Sequence, residues 1–162
     1  MSSAGPDTDA EALGGYARAL ADGIDAQLPA WVERQVARIA EAWQPGLGAT
    51  LAPAAAAAGQ LARQEVAPQV RALLERDVDA QATSPLALVR AAVRYPTAVL
   101  RAAEVPGVVR DDFAERAFPD DDYDLSPAAL ADIDPVLHEL GLRWGAAKAH
   151  VVLTRRRAEG RR

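Results

Sequence analysis

Between residues 118 and 135 the chain reads FPDDDYDLSPAALADIDP, a stretch holding six aspartates. Carboxylates at this density are what a hard divalent cation, or an acid and base working in tandem, would require. Asp120, Asp121, Asp122 and Asp124 could supply oxygen ligands, but the glycine at the sixth position and the closing glutamate of an EF-hand loop are both missing. His138 and His150 stand twelve residues apart, about 120° around one helix, so they do not form the i, i+4 pair of a zinc-binding HExxH helix. Neither follows a glutamate at the third position before it, as the inward-facing Glu-x-x-His of a di-iron bundle would demand. The chain has no cysteine, which removes thiolate metal sites, disulfides and cysteine nucleophiles together. It also lacks a G-x-S-x-G elbow, an S-x-x-K pair and a phosphate-binding G-x-x-x-x-G-K-[ST] loop. The expectation is a protein with no catalytic residue, no metal and no cofactor, in which the aspartates form a hydrated connector and start helices.

The arginines offer a different chemistry. Arg90, Arg94 and Arg101 fall within about 40° of one another on an ideal helix, so a helix kinked but not broken at Pro96 would carry them as one basic stripe. Such a stripe suits a phosphate, a nucleic-acid backbone or an acidic partner. A second basic feature is the terminal TRRRAEGRR, with Arg155, Arg156 and Arg157 at its centre. Residues 104–139 hold eleven acids against Arg110 and Arg116, a charge of −9, whereas residues 140–162 hold seven bases against Glu159, a charge of +6. The two regions can neutralise each other within one molecule or between two, and the net charge of −5 argues against a dedicated DNA-binding protein. Aromatic residues beside helix breaks, Tyr95 and Tyr123, together with Trp144, are candidates to line a groove for a partner or ligand.

These side chains must be held by helices, because alternating, β-rich runs are missing and nearly every punctuation mark is a helix signal. A first helix is expected from Asp7–Asp9 to about Ala26, with Leu13, Tyr16, Leu20 and Ile24 on one face. A second should start near Pro29 and carry Leu28, Trp31, Val32, Val36, Ile39 and Trp43, ending at the QPGLG turn. A third should start from Thr50 with Pro53 in its first turns, and break or kink at Pro68. Ser84 before Pro85, Ser126 before Pro127 and Asp134 before Pro135 repeat one signature, a capping side chain followed by proline in the first turn. Tyr95-Pro96 marks another break, GVVRDDFAERAFP a short helix, and Pro135 to about Glu159 the last helix, with Val136, Leu140, Trp144, Ala147 and Val151 on its apolar face. The reading is an all-α, single-domain bundle of about five to seven helices, several broken or kinked at proline. The helices of Trp31 and Trp144 are expected at its centre, within a domain spanning 9–158 between flexible ends at 1–8 and 159–162.

With 162 residues the chain suits one domain. Its start lacks a basic segment followed by an apolar run, and LAPAAAAAG is too short to span a bilayer, so a cytoplasmic protein without membrane contact is expected. The stretch VRYPTAVLRAAEVPGVVRDDFAERAFPDDDYDLSPAALADIDP and the later WGAAKAH resemble uncharacterised helical proteins of high-GC actinobacteria. That resemblance implies no activity and supplies no catalytic residues. The expected function is a non-catalytic cytoplasmic binding or regulatory module that contacts a protein partner or a second copy of itself. Its binding residues are expected among Arg90, Arg94, Tyr95, Arg101, Tyr123, Trp144, Arg155, Arg156 and Arg157. Two alternatives remain open: nucleic-acid binding through the arginine stripe and tail, and a small-molecule or metal enzyme using Asp121, Asp122, His138 or His150 between helices.

Overall fold

A computed structural model describes residues 5–106 and 125–161. The expected helix at 107–118 and the acidic turn at 120–124, with Tyr123, lie outside the described residues. The described residues are helical, without a strand. Helix α1 spans Pro6–Trp43 and α2 spans Leu47–Glu75. Helix α3 (Pro85–Arg90) continues through a 3-10 turn (Ala91–Val93) directly into α4 (Arg94–Ala102), and α5 covers Pro135–Glu159. Because α3 and α4 run on without a gap, the described residues form four helical segments, fewer than the five to seven expected from proline positions.

The interior prolines account for the difference. Pro29 does not start a second helix but sits within α1, and α2 runs unbroken past both Pro53 and Pro68. An interior proline removes one backbone hydrogen bond at a cost of about 3 kcal/mol. Pro53 and Pro68 lie on the solvent face, where the carbonyl each leaves without an amide partner can be hydrated. Around Pro29 the helix is held by burial instead, with Leu28, Trp31 and Val32 at 1 % exposure or less. Pro96 falls at the third position of α4, three residues after the end of the 3-10 turn Ala91–Val93; the chain tightens ahead of the proline rather than breaking.

The start of α2 is also earlier than Thr50. Gly46 adopts φ 86°, which a residue without Cβ takes without strain. This turn brings the amides of Gly46 and Gly48 onto the Glu41 carboxylate at 3.0–3.3 Å, so a side chain from the end of α1 caps the next helix. Two of the three cap-then-proline signatures hold: Ser84 Oγ accepts from the Ala87 amide at 3.2 Å, and Asp134 Oδ1 accepts from the Val136 amide at 2.9 Å. The third does not, for no helix begins at Pro127. There the Arg90 guanidinium donates to the carbonyls of Pro127 and Ala128, while the Asp132 carboxylate accepts from the amides of Ala128 and Ala129. Side chains satisfy the backbone groups that a helix would have paired, leaving only a 3-10 turn at Leu130–Asp132.

Helices α1 and α2 form the long seam of the molecule. One buried cluster joins Leu20, Ile24, Leu28 and Trp31 of α1 to Ala62, Val66 and Val70 of α2, with Tyr95, Ile133 and Leu137 closing it. A second joins Val36 and Ile39 to Ala55, Leu100, Val105 and Leu125. Trp31, at 1 % exposure, is central as expected. The Trp144 helix is not: α5 buries only Leu137 and Val151, leaves Val136 exposed, and packs Trp144 half-buried against the cluster's edge. The seam is tightest at Gly59, where a Cβ would lie 2.8 Å from the Pro29 carbonyl oxygen and 3.0 Å from its Cα. Helix α4 ends in a Schellman turn, with Val105 N donating to Leu100 O and Glu104 N to Arg101 O. Glu104 takes the left-handed position at φ 58°, and the buried Val105 packs back into the second cluster with Leu100.

A Gly59→Ala variant should lose about 1 to 3 kcal/mol of stability in urea or thermal unfolding, because backbone must yield to the new methyl. Gly15→Ala, also within α1 but facing open space, should instead gain about 0.5 to 1 kcal/mol from reduced freedom of the unfolded chain. Equal effects at both positions would contradict a backbone contact at Gly59.

Candidate functional site

The arginine stripe is mostly occupied by the fold itself. Arg90 holds the carbonyls at 127 and 128, as described above. Arg94 donates to the Tyr95 hydroxyl at 2.7 Å, lies 4.9 Å above that ring's centre, and reaches Glu65 at 3.7 Å. Tyr95 is itself buried in the first cluster. Arg101 is exposed in the last turn of α4. Of the C-terminal arginines, Arg156 and Arg157 are exposed on α5, whereas Arg155 is engaged with two carboxylates. Trp144 has its indole Nε1 buried without an acceptor and carries the Lys148 ammonium 5.1 Å from its ring centre.

The histidines stay apart. His150 Nε2 meets Asp9 Oδ2 at 3.1 Å on the surface between α5 and α1, while His138 borders a shallow groove with Ser84, Leu142 and Trp144. Among the described residues no group of three His, Asp or Glu side chains is placed to hold a metal ion. Asp121 and Asp122 lie outside them.

A larger concavity among the described residues is elsewhere. A cleft of about 570 Å³ opens between the first third of α1, the C-terminal end of α2, the linker that follows it, and the last turns of α5. Its floor is apolar, formed by Leu13, Ala17 and Ala21 of α1, Leu74 of α2, Val78 of the linker and Val151 of α5. Helices α1 and α2 meet closely at Gly59, and the cleft lies beyond that contact, toward the C-terminal end of α2. The rim is charged, with Arg18, Arg71, Glu75, Arg76, Asp77 and Arg155.

Four ion pairs, made by three arginines, tie together the elements around that cleft. Arg63 donates two bonds to the Asp25 carboxylate at 3.0 and 3.2 Å, and Arg71 donates to Asp22 at 2.7 Å, so α2 is stapled along one edge of α1. Arg155 closes the other side. Its guanidinium donates to Asp77 at 2.6 and 2.9 Å and to Asp79 at 2.8 Å, tying the end of α5 to the 3-10 turn Val78–Ala80. Asp77 also accepts from the Asp79 amide at 3.1 Å and so caps that turn. The Arg155 hydrogen bonds, aided by this amide, lower the Asp77 pKa from 3.8 to about 2. The basic end of the chain therefore finds its partners at Asp77 and Asp79, with Arg143 pairing to Glu139 within α5.

Inside this frame, four polar groups are left with capacity to bind, one of them the Glu75 carboxylate on the rim. Arg18 and Arg76 line the cleft and form no ion pair among the described residues. Gln81 donates its Nε2 to the Arg76 carbonyl at 3.1 Å, which fixes the amide orientation and leaves Oε1 buried without a donor. No family model, curated protein or solved structure matches the chain. What the site can do therefore rests on its own geometry: an apolar floor, two guanidinium groups without an ion pair among the described residues, the Glu75 carboxylate and one unpaired acceptor. Sequence reasoning singled out Arg155 for its charge but missed Arg18, Arg76 and Gln81. Nothing in their local context distinguishes them from other surface residues.

Because the folded Asp77 carboxyl is depressed, its contribution to stability is present above the unfolded value of 3.8 and is lost as pH falls toward about 2. Carboxyl-detected NMR should show Asp77 titrating near 2, and Arg155→Gln should return it toward 3.8. An unchanged midpoint in Arg155→Gln would contradict the clamp.

Proposed function

We propose that the chain is a non-catalytic binding module of the cytoplasm whose α1–α2–α5 cleft takes an amphiphilic anion. The apolar body lies on the Leu13, Ala17, Leu74 and Val151 floor, and a carboxylate or phosphate head meets Arg18 and Arg76. A hydroxyl or amine beside the head would supply the donor that Gln81 Oε1 lacks. What supports this reading is one pairing: a cleft of about 570 Å³ with an apolar floor, beside two guanidinium groups without an ion pair among the described residues. Its volume falls in the range of about 300 to 1,000 Å³ common to small-molecule sites. With a net charge of −5, the protein's overall field does not attract anions, so recognition would depend on contact with these two arginines.

Titration with dodecanoate, followed by calorimetry and amide NMR, tests the reading. The wild-type chain should bind with shifts confined to residues around the cleft. The double variant Arg18→Gln/Arg76→Gln should weaken binding about tenfold or more, since each charge-assisted bond contributes about 1.5 to 3 kcal/mol. Ala10→Trp, at the exposed edge of the cleft, should block it sterically. Equal affinity for dodecanol would sink the role of the arginines, and no binding of either compound would sink the cleft.

Nucleic-acid binding is the second reading, supported by Arg156, Arg157 and Arg161, which are exposed and carry no ion pair among the described residues. It predicts oligonucleotide affinity that falls steeply with salt and is lost when residues 156–162 are deleted. Salt-independent affinity, or none, would count against it. No described helix is long and apolar enough to cross a membrane.

A further inference from the structure

Helix α5 is apolar on two opposite faces. Leu137, Trp144 and Val151 face the body of the molecule. On the far side Leu142, Ala146, Ala149 and Leu153, spaced four, three and four residues, fall within about 60° of one another. All four are exposed, Leu142 at 56 % and Leu153 at 51 %. A helix with apolar residues on both sides is ordinarily covered on both sides, yet among the described residues this stripe meets neighbours only at its edges, Leu142 at the groove with Ser84 and Ala146 at one with Tyr16, and stays exposed.

The order of the stripe identifies what fits it. Reading Leu-Ala-Ala-Leu from either end gives the same pattern, so two antiparallel copies, centred between Ala147 and Lys148, match it to itself. Leu142 then stands opposite Leu153 of the second copy at each end, and Ala146 opposite Ala149 at the middle, where small side chains let the helices approach closely. The flanking charges agree. Glu139 and Arg157 share one flank of the stripe, and the antiparallel register brings Glu139 of one copy about one residue from the level of Arg157 of the other. A parallel pairing would place the two Glu139 side chains, and the two Arg157 side chains, on opposite flanks of the contact and form no such ion pair.

The geometry points to a second copy of this chain as the occupant of that face, in a twofold, antiparallel α5–α5 contact of the self-complementary kind. This contact is independent of the ligand reading, because the cleft uses Val151 and Arg155 on the opposite side of the helix. Both sites can be filled at once.

Sedimentation of the full-length wild-type chain from micromolar to near-millimolar concentration should show a monomer–dimer equilibrium. Leu142→Glu and Leu153→Arg should each weaken it about tenfold or more, while circular dichroism confirms that both remain helical. The decisive sample is their equimolar mixture. In the antiparallel register one heterodimer sets the introduced carboxylate at position 142 against the introduced guanidinium at position 153 and keeps the opposite leucine pair intact. The mixture should therefore regain dimer that neither variant forms alone. A wild-type chain that stays monomeric throughout would overturn the proposal, as would dimerisation unaffected by either substitution. Failure of the mixture to recover would overturn the antiparallel register. Substitutions that lower the melting temperature of a chain monomeric throughout would overturn it too, and would show that the stripe is covered within one molecule.

Discussion

The close approach of α1 and α2 at Pro29 and Gly59 is the constraint on which the remaining architecture depends. Two long helices pack at so short a distance only where one of them presents no side chain, and the 2.8 Å that a Cβ would have to the Pro29 carbonyl shows how little room is left. From that point the helices run outward in both directions. Toward one end the gap is filled by Val36, Ile39, Ala55 and Leu100. Toward the other, α1 and α2 are stapled by Asp22, Asp25, Arg63 and Arg71, and the cleft opens there against the end of α5. Arg18 and Arg76 share that cleft with the carboxylates of Glu75 and Asp77, and Asp77 is already taken by Arg155.

Local rules and long-range packing contributed differently to what the sequence revealed. The all-helical class, the Ser84 and Asp134 caps, the left-handed glycine after Pro45 and the burial of Trp31 were legible, because each follows from neighbours within a few positions or from a clean apolar period. Pro29, Pro53 and Pro96 were read as boundaries and Pro68 as a break or kink, yet the chain stays helical through all four. A proline penalty is a local cost, and at Pro29 it is offset by side chains from α2 that no local window contains; at Pro53 and Pro68 the lost bond faces water, and ahead of Pro96 the chain tightens into a 3-10 turn. Ser126-Pro127 failed for a related reason: Arg90, thirty-seven residues away from Pro127, claims the carbonyl that a helix would have used.

The candidate site was the least legible part. Its members come from positions 10–21, 71–81 and 151–155, and Arg155 reaches Asp77 across seventy-eight residues of chain. Charge alone drew attention to Arg90, Arg94 and Arg155, yet all three prove to be fasteners. The arginines with spare capacity, Arg18 and Arg76, sit in ordinary surroundings and gain meaning only from the concavity beneath them. An acceptor such as Gln81 Oε1, buried without a donor, is likewise a property of the folded chain and has no counterpart in residue type or spacing.

The wall that α5 gives the cleft has a consequence for how the protein is made. Helices α1 and α2 are adjacent in sequence and joined by three residues, so they can pair as a hairpin while synthesis continues, since contacts between near neighbours form first. Arg155 is added seventy-eight positions after Asp77, a delay of roughly 4 to 16 seconds at ordinary translation rates. A nascent chain therefore holds the seam for some time before it holds a cavity. Throughout that interval the side facing the future site stays open to chaperones and to water, and a ligand that needs the α5 wall has nothing to bind.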